Sequence, residues 1–294
     1  ALIVQPLYVQ ASPPALESER ESLNSPRPSG KFTIAVIPDT QYLFDEDRGN
    51  REVVEKSLQW IVDHTREKNI AFTVHLGDIV NNGASARWGR EELAQASDVF
   101  RIFDHAGVQY GVVAGNHDIP SSALDNERGH TTFLDFFSPA RTAGNRSYCG
   151  STSDGYNNCY TFMGGNQRFL LLALDWRVSD ESLLWVQSVL NAYSDIPTIL
   201  TTHDLLNRER NPQLTRNGSR LWDEIIAPNN QIFLTINGHL HGQTHTIMQN
   251  EAGNDVLLIL VVYKLFGPEL DRQDGLKAEH KRLEQIRNER EEQV

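Results

Sequence analysis

The stretch Val108-Gln109-Tyr110-Gly111-Val112-Val113-Ala114-Gly115-Asn116-His117-Asp118 decides the fold. Its apolar, β-branched part reads as a buried strand, and the Gly-Asn step that stops it reads as a turn. Polar side chains therefore collect just past the carboxyl end of the strand. Four other apolar runs end in the same way. Residues 34–38 stop at Asp39-Thr40-Gln41, 71–76 at Gly77-Asp78, Thr198–Thr202 at His203, and 231–236 at Asn237-Gly238-His239-Leu240-His241. Carboxylate, amide and imidazole donors converging from several strand ends suit the binding of two cations.

Between these strands the period changes to that of helices. Val54, Leu58, Ile61 and Thr65 share one face of a helix expected over 51–68, with Asn50 as its N-cap. Leu93, Ala96, Phe100 and Phe103 predict a second helix over 87–106, and Leu183, Val186, Val189 and Leu190 another over 180–193. A short helical piece is expected over 132–137 and a further helix near 219–227. Residues 158–163 and 168–175 read as a hairpin across Gly164-Gly165-Asn166, and 244–249 with 255–262 as a last one. The polar, Gly-rich segment 119–155 reads as a long loop around its helical piece. Strand–helix alternation followed by hairpins gives an α/β chain with two stacked mixed β-sheets and helices outside.

At 294 residues and 33.2 kDa the chain can bury a substantial core, and one large domain is expected over residues 31–262. Before it, residues 1–30 hold Pro13, Pro14, Pro26 and Pro28 among Ser and Glu, the composition of a disordered leader. The start of that leader has the apolar character and small-residue step, Val9-Gln10-Ala11, of a signal-peptide remnant, so a secreted or periplasmic location is expected over a cytoplasmic one. After it, residues 263–294 form a charged helical or disordered tail. The net charge of −12, with no basic stripe, disfavours a nucleic-acid backbone as partner. No run reaches the ~20 apolar residues that span a bilayer. Cys149 and Cys159 lie ten apart in a Gly/Ser/Asn-rich stretch, compatible with a local disulfide in an exported chain or with two thiols in a reducing compartment. Oligomeric state is not legible.

Asp39-x-Gln41, Gly77-Asp78-x-x-Asn81, Gly115-Asn116-His117-Asp118, Thr202-His203 and Gly238-His239-x-His241 together resemble the ordered motifs of the calcineurin-like metallophosphoesterase superfamily. That resemblance, over about residues 31–262, implies a four-layer α/β/β/α sandwich and hydrolysis of a small phosphate ester. It implies one metal ion on Asp39, Gln41 and His241, a second on Asn116, His203 and His239, and Asp78 bridging both. The ions would be two divalent or trivalent metals, Mn, Fe or Zn, activating a hydroxide for attack on phosphorus, with His117 as general acid or phosphoryl stabiliser. The chemistry agrees, since a bridging position needs an anionic oxygen donor and Asn116 adds a donor without adding charge.

Two residues depart from the family's usual pattern. Gln41 stands where His is common, and a neutral amide oxygen should hold its ion less tightly than imidazole. Asn81 stands where many members carry an Asp that orients the catalytic His, and its side chain could accept a hydrogen bond from His117. These departures motivate the alternative of a catalytically idle member serving as a binding scaffold. Whether the chain would be a monoesterase or a diesterase is open.

The remaining candidates have plainer explanations. His75 is read as a hydrogen-bonded residue inside a strand, and His64 and His105 as helix-end residues. His130 and His245 are weaker substrate-contact candidates. Asp118 is read as capping its turn or holding the loop, Asn82 as a possible phosphate donor, and Trp88 as the first apolar anchor of the following helix.

Overall fold

A computed structural model describes residues 30–45, 49–120, 129–209 and 211–262. The expected leader before residue 30 and the charged tail after residue 262 lie outside the described residues. No helix among them is long and apolar enough to cross a membrane.

The strands are β1 (Thr33–Ile37), β2 (Ile70–His75), β3 (Tyr110–Val112), β4 (Tyr148–Ser151), β5 (Asn158–Gly164), β6 (Gln167–Ala173), β7 (Thr198–Thr202), β8 (Ile232–Asn237), β9 (Gly242–Gln249) and β10 (Asp255–Val262). The helices are α1 (Arg51–His64), α2 (Gly89–Ala106), α3 (Thr132–Phe137), α4 (Asp180–Ala192) and α5 (Arg216–Leu221), the last continuing as a π turn over Trp222–Ile226. β1, β2 and β3 form a three-stranded sheet that is parallel throughout. The other strands form a mixed seven-stranded sheet in the order β4-β5-β6-β7-β8-β10-β9.

Side-chain alternation builds four layers from these two sheets. On β2 and just past it, Phe72, Val74 and Leu76 face the large sheet, where they meet Tyr160, Phe162, Leu171 and Ile199. His75, on the opposite side of β2, packs against Phe100 of α2. In the run after Gln167, Phe169, Leu171 and Ala173 face the small sheet, whereas Leu170, Leu172 and Leu174 face α4 and α5. A continuous apolar run is what a strand covered on both faces requires. Each fully buried leucine here contributes on the order of 2 kcal/mol through removal from water. The order is helices, small sheet, large sheet, helices, as expected for the α/β/β/α sandwich.

Differences from the expected elements have local causes. The first helix ends at His64, because the chain turns through Asn69 in the left-handed region (φ 49°) before β2. Asn50 precedes that helix but makes no side-chain capping bond. The expected helix near 219–227 starts three residues earlier, where the Thr215 hydroxyl accepts the Gly218 amide hydrogen at 2.9 Å. The expected long loop contains β4, an edge strand whose register slips between Tyr148 and Gly150. A disulfide joins Cys149 of β4 to Cys159 of β5.

Candidate metal centre

β1, β2 and β3 run parallel in one sheet, and β7 and β8 run parallel in the other. The centre lies where the carboxyl ends of all five meet. Asp39 follows β1, Asp78 follows β2, Asn116 follows β3, His203 follows β7 and His239 follows β8. Strand ends suit the purpose because the ladder stops there, freeing side chains and amides to turn towards a ligand.

Asp78, His203 and His239 form the tight core, with ligating atoms all within 4.8 Å of one another. The His203 Nδ1–H donates to the Leu76 carbonyl at 2.8 Å, a bond across the two sheets that fixes the tautomer and leaves Nε2 as the ligating atom. Nε2 lies 3.2 Å from Asp78 Oδ1 and 3.1 Å from Asn116 Oδ1. Asp39 joins from β1. Its Oδ1 receives the His239 amide at 3.4 Å, while its Oδ2 is buried with no hydrogen-bond partner. A buried carboxylate oxygen left unpaired is costly unless a cation completes it.

The backbone is bent to make this packing possible. Asp78 and His239 occupy the left-handed region at φ 50° and φ 73°, sparsely populated for residues with a Cβ. Gly115 must be glycine, because a Cβ there would collide with the Asp78 carboxylate and amide. Gly77, at φ +94°, is required twice over: by its torsion, and because a Cβ would approach His203 Nδ1 to 2.8 Å.

The charges answer one another. Burial pushes Asp39 up to about 7, helped by the neighbouring Asp78 carboxylate and opposed by His203. Burial also works to raise Asp78, but His203 and the His117 amide outweigh it and leave it below its ordinary value. For His203 burial works downward, yet Asp78 and Asp39 prevail and raise it to about 10. Burial and His203 together lower His239. In the metal-free chain, a proton on His203 thus supplies the positive charge that two buried carboxylates need. The donor set of carboxylates, imidazoles and amides fits borderline to hard metal ions.

The sequence pattern of the calcineurin-like phosphoesterase family matches residues 32–243. The chain belongs to that family. Membership supports metal-dependent hydrolysis of phosphate esters in general and a two-metal centre as the family's usual equipment. The uncharacterized protein YvnB of Bacillus subtilis (strain 168) is 26% identical over 246 residues, covering 81% of this chain and 18% of that protein. The chain therefore spans less than a fifth of the length of this curated relative. Among solved structures, a dimetal phosphatase from Danio rerio superposes with a TM-score of 0.52 at 18% identity, over 81% of this chain and 89% of that one. At that identity the likeness concerns the fold.

Within this calcineurin-like domain the other expected residues fall as follows. Gln41 is buried in a 3-10 turn, its Nε2 3.5 Å from Asn81 Oδ1. His241 lies two residues beyond His239, half-buried, with its carbonyl held by Arg208 at 3.1 Å. His117 donates its backbone N–H to Asp78 Oδ1 at 2.9 Å. Its Nδ1–H donates to the Asn81 backbone carbonyl at 2.9 Å, so the expected partnership with the Asn81 side chain is corrected. The backbone reaches the ring because the loop after Asp78 folds back over it.

Asn82, read as a phosphate donor, donates a backbone and a side-chain N–H to Glu92. Asp118, fully buried, accepts the Val80 and Gly115 amides and ties the two loops together, while burial and Asp78 push it up to about 8. His64 donates Nδ1–H to the Trp60 carbonyl, His130 pairs with Asp135, and His245 is exposed on the edge strand β9. Trp88 stands at the N-cap position of α2 without a side-chain capping bond and lines a cleft of about 280 Å³ with Leu43, Phe44, Arg51 and Glu92. Lining residues Leu43 and Trp88 lie too far apart in sequence to be read as one surface.

Proposed function

We propose that this chain hydrolyses small phosphate esters at two divalent or trivalent metal ions. The reading is carried by one observation: Asp78, His203 and His239 converge within 4.8 Å from three distant segments, beside an Asp39 oxygen buried without a partner. Asp39, Gln41 and His241 would hold one ion, Asn116, His203 and His239 the other, and Asp78 both. When bound, the ions supply the Lewis acidity that activates water and offsets charge on the phosphoryl group.

The chain's own residues do the rest. The Leu76 carbonyl keeps the His203 proton on Nδ1, so Nε2 keeps its lone pair for a cation. Asp118 holds the Asn116–His117 turn against the loop that carries Asp78. With the His117 Nδ1–H engaged by the Asn81 carbonyl, Nε2 is the atom that would protonate the leaving oxygen or steady the phosphoryl charge. The Cys149–Cys159 disulfide supports an exported chain working in an oxidising compartment.

The test is metal analysis of the purified chain after incubation with Mn, Fe or Zn, followed by rates on p-nitrophenyl phosphate and bis-p-nitrophenyl phosphate. About two ions per chain and turnover of one ester are expected, the preferred ester assigning monoesterase or diesterase. Two bound ions with neither ester cleaved would favour the scaffold alternative. No retained metal would refute the centre.

A further inference from the structure

Asp39 and Asp78 follow different strands, and like charges buried together repel unless the backbone holds them. The segments carrying them are joined at Thr40. Its N–H donates to the Asp78 carbonyl at 3.0 Å, and its hydroxyl donates to the Ile79 carbonyl at 2.9 Å. A third bond comes from beneath. His75 lies on β2, with its ring 5.8 Å from Phe100, inside the layer between the small sheet and α2. The Gly77 N–H donates to His75 Nδ1 at 3.1 Å, so that nitrogen is unprotonated and the ring hydrogen sits on Nε2. Nε2 then donates to Thr40 Oγ1 at 3.1 Å. The hydroxyl can accept it because its own hydrogen goes to Ile79.

Each member of this relay has one assignment, because a backbone N–H begins it and a backbone carbonyl ends it. His75 and Thr40 are 1% and 4% exposed, so water does not compete. The His75 bond fixes the Thr40 hydroxyl, and the Gly77 bond fixes the left-handed turn that presents Asp78. A phenyl ring would match the apolar surroundings of Phe100 equally well, yet would make neither bond.

We propose that His75 is a positioning residue for the metal centre, setting the separation of Asp39 and Asp78 through Thr40. The inference rests on the metal-site reading above. Neither His75 nor Thr40 touches a cation in it; both act through the strand ends they join.

The experiment is calorimetric titration of manganese into the chelator-stripped full chain and its variants. His75→Phe is expected to weaken manganese binding about 10–100-fold, the usual effect of removing support behind a ligand. His75→Gln, whose amide nitrogen falls near the position of Nε2, should recover most of that loss. His75→Asn reaches only Gly77 and should not. Thr40→Val should match His75→Phe, Thr40→Ser should resemble the native chain, and the double variant should bind no more weakly than either single one. A merely structural role would lower the urea midpoint of the metal-free chain without separating Gln from Asn in metal affinity.

Binding by His75→Phe and Thr40→Val within about threefold of native would overturn the proposal, as would additive losses in the double variant. Should His75→Phe fail to fold by circular dichroism, the Thr40 pair decides. Native chain that takes neither manganese nor, in repeat titrations, zinc or iron refutes the metal site and this inference with it; native binding with undiminished variants refutes this inference alone.

Discussion

Replacing His75 by Phe should make the metal-free protein less sensitive to acid, and the size of the effect follows from burial. Desolvation lowers His75 from 6.5 to about 3; His203 adds to the lowering and Asp78 opposes it. Between those values the unfolded chain binds a proton that the folded chain refuses. Stability linked to His75 is therefore complete above pH 6.5 and is lost as the pH falls towards 3. At pH 4.5, two pH units below 6.5, the loss is about 3 kcal/mol. Phe has no such proton. At pH 7.5 it should cost about 2 kcal/mol, chiefly because the buried Gly77 amide loses its acceptor. The native advantage should thus shrink to nothing or reverse by pH 4.5. Urea unfolding of both proteins in chelator at the two pH values measures this. Equal acid losses in native and variant would refute a buried, neutral His75.

Three other perturbations test the site and its frame. His117→Ala should retain both metals while turnover falls about 10²–10⁴-fold, the range for a lost general acid; metal content that fell in parallel would make His117 a ligand instead. Gly115→Ala drives a Cβ into the Asp78 carboxylate, so manganese affinity should drop at least tenfold and stability by about 1–3 kcal/mol, whereas Gly144→Ala, in open space, should leave both unchanged in the same titration and urea assays. Cys159→Ser opens a ten-residue loop and should lower stability by about 3 kcal/mol in urea, with no thiol titratable in the unreduced native chain by Ellman's reagent.

Strand, helix and layer were written in local periodicity. Leu170 and Leu172 alternate with Phe169 and Leu171 because each side of β6 meets a different apolar layer, and that alternation is visible in the residue order. The donor residues were also visible, since a ligand at a strand end interrupts an apolar run with a polar residue. What local pattern does not carry is contact between distant segments. Which oxygen of Asp39 lacks a partner, that the Asn81 carbonyl and not its amide takes the His117 proton, and that Asn82 is tied to Glu92 all depend on how loops from different strands stack.

His75 shows the division most sharply. By itself the residue order marks it as a polar interruption in the strand Ile70–His75 and makes a hydrogen-bonded interior histidine the natural reading. Only the folded chain decides that its partners are Gly77 and Thr40, the second 35 positions away, because parallel pairing of β1 with β2 places two turns side by side that the chain never places in sequence.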